Sequence, residues 1–90
     1  MEYHITLQGK GGHGSRPDRV NNPVVCFAAV YGALQSIGCT VTKVDCGGST
    51  NVIQEMLHFY CTCNDEAALH RILTHTCAAH RCSFQSAPQS

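Results

Sequence analysis

The sequence predicts an α+β domain of order βαββαβ, with a four-stranded antiparallel sheet and both helices on one face. Three observations lead there. Residues Glu2 to Gln8 alternate strictly between apolar and polar, and a second, longer strand covers Asn51 to Cys63, with two distinct faces from Met56 onward. Helix-start signals follow each of these segments, Asn22-Pro23 after the first and Asn64-Asp65-Glu66 after the second. Right-handed connections in this order put the first and third strands at the centre of the sheet.

In the first strand Tyr3, Ile5 and Leu7 share one face, and His4, Thr6 and Gln8 share the other. Asn22 then serves as N-cap and Pro23 as the first helical residue, its missing N–H costing nothing there. The helix runs to about Ile37 and stops at Gly38, with Phe27, Val30, Leu34 and Ile37 as one stripe. Its other faces carry Val24, Val25, Cys26, Ala28, Ala29, Tyr31 and Ala33, and no charged residue lies between Arg19 and Lys43. A helix apolar nearly all round is buried on more than one side. The sheet covers one side, so the other is expected to meet a second chain or domain.

Thr40 to Asp45 reads as a short strand, followed by a Cys-Gly-Gly-Ser-Thr turn. In the long strand, Leu57, Phe59, Cys61 and Cys63 face one way, and Met56, His58, Tyr60 and Thr62 the other. Asn64 is expected to cap the second helix, with Asp65 and Glu66 in its first turn and His80 and Arg81 at its end, matching the helix dipole. Leu69, Ile72, Leu73, Thr76 and Ala79 supply its inner face. Arg81 to Gln85 forms a last short strand, and residues 86–90 a polar tail. This is the ferredoxin-like, split-βαβ plan.

Ninety residues with formal net charge zero and 13% charged residues make one domain without a basic footprint, which argues against nucleic-acid binding. No apolar run approaches the ~18 residues of a membrane span, and Met1 leads into Glu2-Tyr3-His4 without a signal-peptide layout. Seven cysteines, an odd number without framework-like clustering, fit reduced and mostly buried thiols in a cytoplasmic protein. An opening strand in full register and a polar end are those of a domain cut from something larger.

The segment Gly9-Lys-Gly-Gly-His-Gly-Ser-Arg-Pro-Asp18 places His13 among glycines, which let a backbone approach another molecule closely. It is not a P-loop, because no Gly-Lys-Ser/Thr opens the helix. Ser15 lies near His13, but no third residue is placed to orient a base, and no Glu-Glu pair or His-x-Asp motif of a two-metal centre is present. Cys61-x-Cys63, His75-x-Cys77 and His80-x-Cys82 lack zinc-knuckle spacing, and His75 and His80 lie about 140° apart around a helix. No metal site and no complete catalytic set is expected within the chain.

The glycine segment with His13, the Asn-Pro-Val helix ending Ala-Leu-Gln-Ser-Ile, and Asn51-Val52-Ile53 together resemble one domain over residues 2–85. It is the dimerisation, or lid, domain of metal-dependent amidohydrolases and peptidases of the aminoacylase and hippurate hydrolase type. The resemblance implies a domain (residues 1–85 here) inserted in a larger hydrolase of N-acyl amino acids or small peptides. The metal pair, commonly zinc, sits in the catalytic domain outside this segment, so the segment alone is inactive. The resemblance further implies a homodimer through residues 22–45. It makes His13 an oxyanion donor to the partner subunit's active site and Asn51 a substrate-binding residue. Gln54 stands where the family usually has proline. The alternative is a free-standing ferredoxin-like interaction or regulatory module without a catalytic role.

Overall fold

The computed structural model describes residues 1–9, 22–45 and 56–89. The elements run β1 (Glu2–Gly9), α1 (Pro23–Ser36), β2 (Thr40–Asp45), β3 (Met56–Thr62), α2 (Glu66–Ala79) and β4 (Cys82–Gln89). They build a four-stranded sheet of order β2-β3-β1-β4, antiparallel throughout, with β1 and β3 central as the sequence predicts.

Register follows from the alternation. Tyr3 pairs with Cys61, Ile5 with Phe59 and Leu7 with Leu57, and all six side chains are buried beneath the helices. A slip of one residue would turn every one of them to the opposite face. Cys26, Val30 and Leu34 of α1 and Leu69, Leu73 and Cys77 of α2, spaced four apart, close the core from above. Phe27 packs its ring on Phe59 at 5.0 Å between centroids, tying α1 to the central strand.

The caps explain where the helices begin and end. Asn22 accepts from the Val24 N–H at 2.8 Å, with Pro23 following as expected. At the other end of α1, Cys39 N–H donates to the Leu34 carbonyl and Gly38 N–H to the Gln35 carbonyl, a Schellman closure. Gly38 has φ 80°, where a Cβ would be strained.

Four expectations need correction. Asp65, not Asn64, caps α2: its carboxylate accepts from the Ala68 N–H at 3.1 Å and adds a negative charge to the helix start. On the inner stripes, Cys26 and Cys77 take the places expected of Ile37 and Ala79, which are exposed, because the buried row follows the i, i+4 spacing. The polar tail is part of a strand: β4 continues to Gln89, with Ser86 opposite Ile5 and Pro88 opposite Tyr3. An edge strand tolerates polar residues and proline because it has only one ladder to maintain.

The fourth correction concerns the thiols. Cys39 and Cys63 form a disulfide, with Cα atoms 4.6 Å apart. They flank the Thr40–Thr62 pair of β2 and β3, so the ladder itself brings them together. Cys26, Cys61 and Cys77 are free and buried, Cys82 is free and half-buried, and Cys46 lies outside the described residues. A reducing compartment therefore no longer follows from the cysteines.

Candidate functional site

His13, Ser15, Asn51 and Gln54 all lie outside the described residues. The structure does fix the residues that border their segments. Gly9 closes β1, Asp45 closes β2 and Met56 opens β3, with Gln8 paired to Met56 and Asp45 to His58. These borders share one end of the sheet, so segments 10–21 and 46–55 are anchored at the same end.

The face of the sheet away from the helices carries a cluster that reading the strands one at a time does not reveal. His4 lies opposite Tyr60, and His58 lies two pairs further along, on the same face of the sheet. The His4 ring stacks on Tyr60 at 4.6 Å, and its Nε2 lies 3.1 Å from His58 Nδ1. On the other side of His58, Nε2 is 3.8 Å from Asp45 Oδ2. The signal was present in the outward positions of each strand, but the register between strands was needed to join them. Lys43, opposite Tyr60, adds a cation to the row. A shallow cavity of about 350 Å³ lies alongside, lined by Thr6, Gln8, Met56, Ser83, Phe84 and Gln85.

A second cluster is buried between the helices. Cys26 donates its S–H to Cys77 at 3.7 Å, and this bond and burial together raise the Cys26 pKa. Burial, reinforced by the Glu2 charge, pushes the Cys61 thiol up to about 11, and burial with the neighbouring Cys26 does the same for Cys82. Among the described residues no group of three or more His, Cys, Asp or Glu side chains is placed to hold a metal.

These thiols make a pH-dependent prediction. A thiol whose folded pKa exceeds its ordinary value of 9.0 stabilises the fold below pH 9, and that contribution is lost as the pH rises toward about 11. Chemical denaturation at pH 8 and pH 10 should therefore give a lower midpoint at pH 10. Alkylation of native Cys61 and Cys82, followed by peptide mass spectrometry, should accelerate about tenfold per pH unit in that range. Rates that level off near pH 9 would contradict the burial of these thiols.

The likeness of this fold to known proteins is extensive. The family model of the peptidase dimerisation domain matches residues 1–75. The chain belongs to the peptidase dimerisation domain family. No curated protein sequence matches it. The dimerisation domain is similar in structure to an amidase of the hydantoinase/carbamoylase family from Burkholderia multivorans, with TM-score 0.77 and 18% identity, covering 99% of this chain and 26% of that one. It is also similar to a dinuclear metal-binding peptidase of the M20 family from Bacillus subtilis, with TM-score 0.68 and 19% identity, over 96% of this chain and 24% of that one. A third is an aminobenzoyl-glutamate utilization protein from Klebsiella pneumoniae, with TM-score 0.72 and 14% identity, over 94% and 26% of the two chains. The dimerisation domain spans about a quarter of each of these structures. No described helix is long and apolar enough to cross a membrane.

Proposed function

We propose that this dimerisation domain pairs two copies of a longer metal-dependent amidohydrolase or peptidase through residues 22–45, and that it acts as the lid of the active site. One observation carries the pairing. Of the six large apolar side chains left exposed among the described residues, four fall within this stretch, Val24 (43%), Tyr31 (43%), Ile37 (40%) and Val44 (46%), and the other two are Met1 and Met56. Ala28 and Gly32, also exposed, continue the surface of α1 beside Val24 and Tyr31. β2, which carries Val44, is an edge strand of the sheet. A two-fold axis beside β2 joins edge to edge and helix to helix, burying both features at once.

The substrate class proposed is an N-acyl amino acid or small peptide. Support comes from the sequence motifs, and from a structural relative named for aminobenzoyl-glutamate, which is itself an N-acyl amino acid. The relative described as a dinuclear metal-binding peptidase supports a metal pair, read as zinc, in the catalytic portion of the longer protein. The domain's own share of the chemistry is proposed to lie with His13 and Asn51, on the resemblance of their motifs to the family's. When water adds to the scissile amide, a negative charge develops on the carbonyl oxygen. His13 donates an N–H to that oxyanion, and the Asn51 amide holds the substrate in position. The cytoplasm is the compartment proposed.

Pairing is tested by sedimentation of the wild-type chain against Ala28→Glu and Tyr31→Glu. Both positions are exposed on α1, so the variants should fold, as circular dichroism will verify. The expected result is a wild-type dimer at micromolar concentration and monomeric variants. A wild-type monomer, or variants that remain dimeric, would contradict this interface.

A further inference from the structure

We propose that His4 and His58 form a cross-strand chelate for a divalent transition-metal ion on the open face of the sheet. The ion is of the imidazole-preferring class, such as Zn²⁺, Ni²⁺ or Co²⁺. Their nearest nitrogens, Nε2 of His4 and Nδ1 of His58, are 3.1 Å apart. For metal–nitrogen bonds of ~2.0–2.1 Å, adjacent ligands are roughly 2.9 Å apart in an octahedron and about 3.4 Å in a tetrahedron. The two rings, held 3.1 Å apart by a hydrogen bond, are therefore already within the separation that two ligands of one ion need.

Two neighbours preorganise the pair. The Asp45 carboxylate lies 3.8 Å from the far nitrogen of His58, and its charge favours a proton on that nitrogen over one on Nδ1, the atom facing His4. Tyr60 stacks on His4 with ring planes 16° apart, holding that imidazole upright on the sheet. Without metal, His4 Nε2–H donates to His58 Nδ1. With metal, His4 carries its proton on Nδ1, and two metal–nitrogen bonds replace the hydrogen bond between the rings. The His58 side chain is 38% exposed and His4 is half-buried, so the remaining coordination positions open to water.

The test uses Co²⁺ and Ni²⁺ with the 90-residue chain. Calorimetry should find one ion per chain. The Co²⁺ complex should show visible d–d bands without a thiolate-to-cobalt charge-transfer band. His4→Gln and His58→Gln should each abolish binding, His75→Gln should leave it unchanged, and Asp45→Asn should weaken it about tenfold or more. The melting temperature should rise with Ni²⁺ in the wild type and not in the His4 or His58 variants. Binding that survives both histidine substitutions, a thiolate charge-transfer band, or full affinity in Asp45→Asn would overturn the assignment.

Discussion

Replacing His13 by Ala in the full-length enzyme is expected to lower kcat by about 10²–10³-fold while changing KM little. An oxyanion donor meets its partner only once the carbonyl oxygen carries negative charge, so its loss is felt in the transition state and hardly in substrate binding. The glycines on both sides of His13 are consistent with a segment that must come close to another molecule. Steady-state kinetics on an amide substrate measures the effect. Near-full kcat in His13→Ala would make the histidine a bystander and remove the catalytic half of the proposal.

A comparably large effect, on stability, is expected at Phe59. Its side chain is fully buried on central strand β3, paired with Ile5 and packed against Phe27. Phe59→Ala should cost about 3–5 kcal/mol, from lost burial plus the cavity left between sheet and α1. A domain of this size has a total stability of only about 5–15 kcal/mol, and each kcal/mol is worth about 4–8 °C. The melting temperature should therefore fall by roughly 15 °C or more, or the chain should not fold. A fall of only a few degrees, measured by calorimetry, would show that α1 and the sheet do not share this core. The loss should also weaken self-association, because Phe27 holds α1 in place and α1 carries Val24 and Tyr31.

Most of the fold was legible because each element carried its own local signal. The alternation of Tyr3, Ile5 and Leu7 identified β1, Asn22-Pro23 opened α1 and Gly38 closed it, and Thr40–Asp45 matched β2 to the residue. What was missed depends on neighbours. The polar residues of β4 read as a tail because an edge strand needs little apolar pattern, and only its ladder with β1 makes it a strand. The Cys39–Cys63 disulfide arises from the register of β2 on β3, which spacing in sequence does not reveal. The same holds for the His4–His58 contact, which joins residues 54 apart in the chain. The choice of Asp65 over Asn64 as cap turned on a single residue, the usual precision of a helix boundary. Of the candidate site, the motif residues were legible as chemistry, and the described structure adds that their two segments are anchored at one end of the sheet.

The central claim is that two copies pair and that each lends His13 to the other's active site. It is tested most directly by mixing full-length His13→Ala enzyme with a variant lacking one metal ligand in its catalytic portion, then allowing the subunits to exchange. Each variant alone should be nearly inactive. In a mixed dimer one active site keeps its metal ligands and receives an intact His13 from the partner, so an equal mixture should recover about a quarter of wild-type activity. Mixtures that exchange subunits yet stay at the level of the separate variants would show that His13 does not serve the partner subunit.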